Sequence, residues 1–144
     1  MNRRALLGLP GILVLVFAVS VSSCYNPNFT SSVTSVHFDR SSMSLDRYGN
    51  FLNTGDLALM LRPSTATGEV MNIEWFSDND SLIQFLPDAP PSSFNGEGRA
   101  NVTVMFAPLA NLGGMDKTSV GLTAKVDLYD GSSFYALCTI HLYE

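Results

Sequence analysis

A chain of 144 residues leaves room for one domain and one hydrophobic core. Eight Lys and Arg against thirteen Asp and Glu give a formal charge of −5. With no basic patch to neutralise phosphates, a nucleic-acid partner is excluded.

Taken in chain order, the first element is a leader. Residues 1–4 carry Arg3 and Arg4, and residues 5–21 are apolar and uncharged. Pro10 and Gly11 weaken that run as a permanent membrane helix. A positive start, a hydrophobic middle and small residues before a cut are the layout of a secretory signal peptide. The sequence Val21-Ser22-Ser23-Cys24 resembles the lipobox of bacterial lipoproteins. That resemblance implies cleavage after residue 23, a diacylglyceryl group on Cys24 and a membrane held as partner through that lipid. Tyr25 follows where an Asp would imply retention at the inner membrane, so sorting to the outer membrane or cell surface is expected. The competing reading pairs Cys24 with Cys138, the second of two cysteines, in a disulfide. Residues 24–32, polar and containing Pro27, read as the lipidated Cys and a flexible tether. Without the leader's two arginines, six basic residues face thirteen acidic ones, or −7.

From residue 33 to 144 the pattern changes to short runs of period two, separated by turn residues. Val36 and Phe38 begin it, and Met43 and Leu45 continue it after a break at Asp39-Arg40-Ser41. Leu57, Leu59 and Leu61 follow, then Met71, Ile73 and Trp75, then Ile83 and Phe85. Val102, Val104 and Phe106 form another run. Two longer ones, Val120 to Leu128 and Ala136 to Leu142, are joined by the turn signal Asp130-Gly131. One apolar face per run means half-buried strands. About seven antiparallel strands in this length predict an all-β, immunoglobulin-sized sandwich. Trp75, the single Trp, falls on the apolar phase and reads as a core anchor, with ligand stacking as the alternative. Cys138 reads as a buried small hydrophobe.

The runs VTSVHFDRSSMSL (33–45), LALMLRPSTATGEVMNIEWFSDNDSL (57–82) and AKVDLYDGSSFYALCTIHLY (124–143) resemble, in order and spacing, the bacterial group 2 immunoglobulin-like domains. These occur in invasin- and intimin-like adhesins, with Pro63, Trp75, Ser77-Asp78 and Cys138 at matching places. The resemblance implies a non-catalytic binding or adhesion module on the cell surface. The alternative is a periplasmic structural or assembly subunit of an envelope complex. A protein partner from host or envelope is expected in either case. Residues 107–119 are longer than the family's usual connection, and residues 87–98 are rich in Pro and Gly. Both loops are candidates for binding, with Phe94, Leu109 and Leu112 as exposed contacts; the alternative is that the loops are tolerated insertions and these side chains pack back on the domain. Strand-edge addition is a second mode.

The chemistry-bearing residues are sparse. His37 and His141 fall on the outward phase with no Cys, His or Glu cluster near them in sequence, so no metal site is expected. Asp78-Asn79-Asp80 lacks the further ligands of a calcium loop and reads as a turn. No nucleophile or metalloprotease motif occurs. Neither an enzyme nor a cofactor is therefore expected.

Overall fold

Side chains of successive strand residues point to opposite faces, so an alternating run can bury one face against a second sheet. The computed structural model describes residues 30–47, 53–108, 110 and 112–144, and there the seven runs form eight strands. These are β1 (Ser35–Phe38), β2 (Ser42–Asp46), β3 (Thr54–Arg62), β4 (Val70–Ser77), β5 (Ile83–Leu86), β6 (Arg99–Phe106), β7 (Lys117–Leu128) and β8 (Ser133–Tyr143). A 3₁₀ turn, Ser64–Glu69, joins β3 to β4. One sheet has the order β1-β3-β6-β5 and the other β2-β8-β7-β4.

The two sheets face each other across a layer of residues with almost no exposure. Leu59, Leu61 and Val104 come from the first sheet, and Val120, Leu122 and Ile140 from the second; each is 0% exposed. Burial of each such side chain is worth about 1.5–3 kcal/mol. Cys138 lies in the same layer opposite Leu122, and burial pushes its thiol pKa up. Cys24 lies outside the described residues, and so do the leader and the disulfide alternative.

Two expectations are corrected. The break at Asp39-Arg40-Ser41 is a change of sheet. Asp39 N–H donates to Ala58 O in the first sheet, and Thr139 N–H donates to Ser41 O in the second. The single opening run thus becomes two strands. The second of them, β2, pairs with β8 in parallel, Ser42 opposite Thr139, so the sandwich is not wholly antiparallel. Period two tells which face a residue takes but not which neighbour its strand joins or in which direction. The second correction concerns Met71, read on the inward phase. A bulge between Val70 and Asn72 adds one residue to β4 there, and Met71 is 55% exposed.

Trp75 is half-buried against the core, as the sequence implied. Its ring lies 6.0 Å from that of Phe38 and 6.1 Å from that of Phe85, and Nε1 donates to Pro91 O at 2.8 Å. The Asp130-Gly131 turn joins β7 to β8, with Gly131 at φ 85° and Leu128 N–H donating to Ser132 O. Among the described residues no helix is long and apolar enough to cross a membrane.

Ser31 and Ser32, at the end of the segment read as a tether, are tied to the domain. Ser31 N–H donates to Asp130 Oδ2 at 3.0 Å, and Ser31 Oγ–H donates to Glu69 Oε2 at 2.5 Å. Ser32 donates its N–H to Glu69 Oε2 at 2.7 Å and its hydroxyl to Oε1 at 2.6 Å. The Ser31 and Ser32 hydroxyls hold the Glu69 carboxyl below its ordinary pKa, and the Ser132 hydroxyl with the Ser132 and Ser31 N–H groups does the same for Asp130. A carboxylate depressed by folding stabilises above its unfolded pKa, and that contribution is lost as pH falls through the folded value. Amide shifts of Ser31 and Ser32 are therefore expected to titrate below the ordinary carboxylate range, and Glu69→Gln is expected to abolish most of that titration at Ser32. Titration of both amides at ordinary carboxylate pH would contradict this clamp.

Candidate functional site

Of the two readings open for the loops, binding or insertions packed on the domain, the structure shows both loops built into the domain. Residues 87–98 strap the free edge of β4. Ile73 N–H donates to Ser92 O at 3.0 Å, Trp75 bonds Pro91, and Phe94 packs on the core. In the connection 107–119, Ala107, Ala110 and Leu112 are buried. The guanidinium of Arg47 donates to Ala107 O and Ala110 O, pairs with Glu144 at 2.9 Å and lies 4.4 Å from the centre of the Phe106 ring. Phe94 and Leu112 are thus core contacts and not exposed ones, because each loop carries apolar side chains that bury more surface against the sandwich than in water. Leu109 lies outside the described residues.

The remaining sequence candidates do not converge. His37 is exposed, and His141 Nδ1 sits 2.8 Å from Ser119 Oγ on the outer face. Asn79 Oδ1 accepts from Ser81 N–H and Oγ–H, which makes residues 78–81 a side-chain-stabilised turn. Among the described residues no group of three or more His, Cys, Asp or Glu is arranged to hold a metal ion. They form no catalytic centre.

A groove of about 620 Å³ crosses the outer face of the first sheet, between Asp39, Arg40, Asp56, Leu86, Arg99 and Thr103. Its polar groups largely satisfy one another. Arg40 pairs with Asp39 at 3.1 Å, Ala58 N–H donates to Asp39 Oδ1 at 3.2 Å, and Thr103 Oγ–H donates to Asp56 Oδ1 at 2.6 Å. Arg99 and Asn101 complete its polar lining.

The second sheet differs. Thr139 N–H bonds Ser41, on the β2 side, so the odd-numbered residues of β8 turn their backbone groups toward β2 and the even-numbered ones toward β7. β2 starts at Ser42, opposite Thr139. Tyr135 and Leu137 therefore present N–H and C=O along an edge that, among the described residues, has no strand of this sheet beside it. Their side chains are 59% and 71% exposed. A groove of about 320 Å³ runs along this half-edge between β1 and β8, lined by Val36, Phe38, Arg40, Ser41, Tyr135 and Leu137. On the outer face Leu137 stands opposite Thr123 and Thr123 opposite Phe76, which is 49% exposed, so a row across three strands has two exposed apolar side chains flanking a threonine. The next row holds Tyr135, Lys125 and Glu74. Lys125 Nζ lies 2.8 Å from Asp127 and 3.4 Å from Glu74. The Asp127 contact raises the Lys125 pKa, and the same contact lowers that of Asp127.

The sequence did not single out Tyr135 or Leu137. The available signal was that residues 134–138 are apolar on both phases, which a strand with one solvated face has no need to be.

No family model matches the chain, and no curated protein matches its sequence. Solved structures do match in fold. The periplasmic chaperone SfaE superposes with a TM-score of 0.58 at 9% identity, covering 76% of this chain and 57% of its own. The YadV chaperone gives 0.56 at 7% identity, covering 76% and 52%. Domains 4 and 5 of the S-layer protein SbsC give 0.53 at 13% identity, covering 80% and 48%. The chain thus spans about half the length of each. It has an immunoglobulin-like, PapD-like β-sandwich fold. Membership in the group 2 immunoglobulin-like family is not shown.

Proposed function

We propose that this chain is a lipoprotein, anchored through Cys24, whose sandwich serves as a periplasmic structural or assembly subunit of an envelope complex. It does so by accepting an extended segment of another protein beside Ser133–Leu137. The observation that carries this reading is the half of β8 that no strand of its sheet covers among the described residues, where Tyr135 and Leu137 lie beside the groove between β1 and β8 with their side chains exposed. Exposed strand edges template strand addition, with backbone bonds for affinity and side-chain pockets for specificity. The fold shared with a periplasmic chaperone and an S-layer protein supports an envelope location. The S-layer likeness also favours a second reading, display of the same domain at the cell surface for adhesion. Protease shaving of intact cells separates the two, since only a surface domain is cut before the outer envelope is opened.

Leu137→Pro tests the edge. The Leu137 N–H has no strand partner, so proline there is expected to change stability by less than about 1 kcal/mol. Ala136→Pro removes a bond to β7 and is expected to cost about 3 kcal/mol or more. In cells, a photo-reactive residue at position 135 is expected to give a discrete adduct that Leu137→Pro abolishes. The same probe at Gln84, on the far sheet, is expected to give none. An adduct unchanged by Leu137→Pro rules the edge out. Cys24→Ala is expected to abolish incorporation of labelled palmitate, and retained label refutes the anchor.

A further inference from the structure

The clamp on Ser31 and Ser32 fixes where the chain leaves the sandwich. Glu69 ends the turn between β3 and β4, and Asp130 lies in the β7–β8 hairpin. Tyr129 N–H donates to Glu69 O at 3.0 Å, which ties these two turns together at one end of the domain. Seven residue steps separate Cys24 from Ser31, at most about 25 Å of chain. A strand of eleven residues such as β8 spans about 35 Å, so the tether is too short to run from the clamped end to the opposite one.

We infer that the clamped end rests on the bilayer, with Tyr129 and Met71 in the headgroup layer. This rests on the lipid anchor proposed above. Tyr129 is 43% exposed and Met71 55%, and they flank the bond between Tyr129 and Glu69. Tyrosine suits that layer because its ring is apolar and its hydroxyl remains wet. The opposite end also exposes Met115 and Tyr143, so apolar content does not choose between the ends; the point of attachment does. Charge decides the lipid. Glu69, Asp127 and Asp130 lie at the clamped end with Arg62, which ends β3 there, and Lys125, which pairs with Asp127; outside the leader acidic residues outnumber basic ones by about two to one. Anionic headgroups repel such a surface, so the surface it fits is zwitterionic. The open half of β8 begins at Ser133 in the same end, so the orientation also sets that edge near the membrane.

The test uses the lipidated full chain in vesicles of phosphatidylethanolamine and headgroup-spin-labelled phosphatidylcholine. Tyr129→Trp and Met115→Trp are made separately in a Trp75→Phe background, which keeps a ring between Phe38 and Phe85. Quenching at position 129 is expected to exceed that at 115 several-fold. Replacing half the lipid with phosphatidylglycerol is expected to shrink the difference, and so is Glu69→Gln combined with Asp130→Asn. Equal quenching at both ends, or stronger quenching at 115, overturns the orientation. Nitroxides at Tyr129→Cys and Met115→Cys read the same contrast by oxygen accessibility in a chain that keeps Trp75, because Cys138 is buried. Flotation reports the anchor independently. Vesicles that do not float the chain overturn the anchor and the orientation together, whereas floated chain with no contrast overturns the orientation alone.

Discussion

Phe106→Ala is expected to destabilise the domain by about 3–5 kcal/mol, the range for truncating a fully buried aromatic side chain. Phe106 is 1% exposed at the end of β6, and its N–H donates to Asn53 O. Its ring is also the platform for the Arg47 guanidinium at 4.4 Å. Removing it leaves a cavity and takes the support from the side chain that holds Ala107 and Ala110. The loss should therefore exceed what cavity formation alone causes, by about 0.5–1 kcal/mol of cation–π interaction. Urea unfolding of Phe106→Ala, Arg47→Met and the double variant separates the two contributions, since contacting residues are non-additive. Phe106→Leu, which keeps most of the volume, is the control and is expected to cost less than about 1.5 kcal/mol. A cost below about 1 kcal/mol for Phe106→Ala contradicts the packing described.

The strands were legible because burial imposes period two and little else does. Val120 to Leu128 alternates without a fault and Ala136 to Leu142 does so except at Leu137, and each inward residue of both runs is buried. What sequence could not supply was pairing. Nothing in SMSL distinguishes a strand that continues β1 from one that changes sheet and runs parallel to β8. The half-edge at Tyr135 and Leu137 follows from that change of sheet, because β2 joins β8 too late to cover them. The loops stayed open between two readings for a related reason. Pro- and Gly-rich composition marks a segment as irregular but does not say whether it is solvated. Phe94 and Leu112 turn inward only because β4's edge and Arg47 wait for them in space, residues distant in sequence. Trp75 was easier, since a lone Trp on an apolar phase has few places to go but the core. The exposure of Met71 depends on a one-residue bulge that no periodicity announces.

Gly98→Ala is expected to cost about 2–4 kcal/mol, and Gly96→Ala, two residues away, almost nothing. Gly98 is buried at φ 70°, where a side chain adds about 1–3 kcal/mol of backbone strain. A Cβ there would also lie 2.8 Å from Ser64 Cα and 2.9 Å from Ser64 Cβ. Backbone cannot yield as a flexible side-chain tip can, so the turn beginning at Ser64 or the strap itself must move. At Gly96 a Cβ would meet nothing within 4 Å and φ is not positive, so alanine there is expected to be neutral or to stabilise by up to about 1 kcal/mol. The damage at Gly98 should also be directional. Its N–H and C=O bond Asn95 and Leu61, and through them the strap 87–98 is returned to β6 after covering β4. Hydrogen exchange should therefore quicken at Ile73, whose N–H bonds Ser92, before it quickens at Leu122 or Ile140 in the core. Equal urea midpoints for the two alanine variants would show that the strap tolerates a side chain at Gly98. Uniform exchange across the domain in Gly98→Ala would show instead that strap and sandwich open as one unit, in which case β4's edge is covered by the global fold and not by a separable segment.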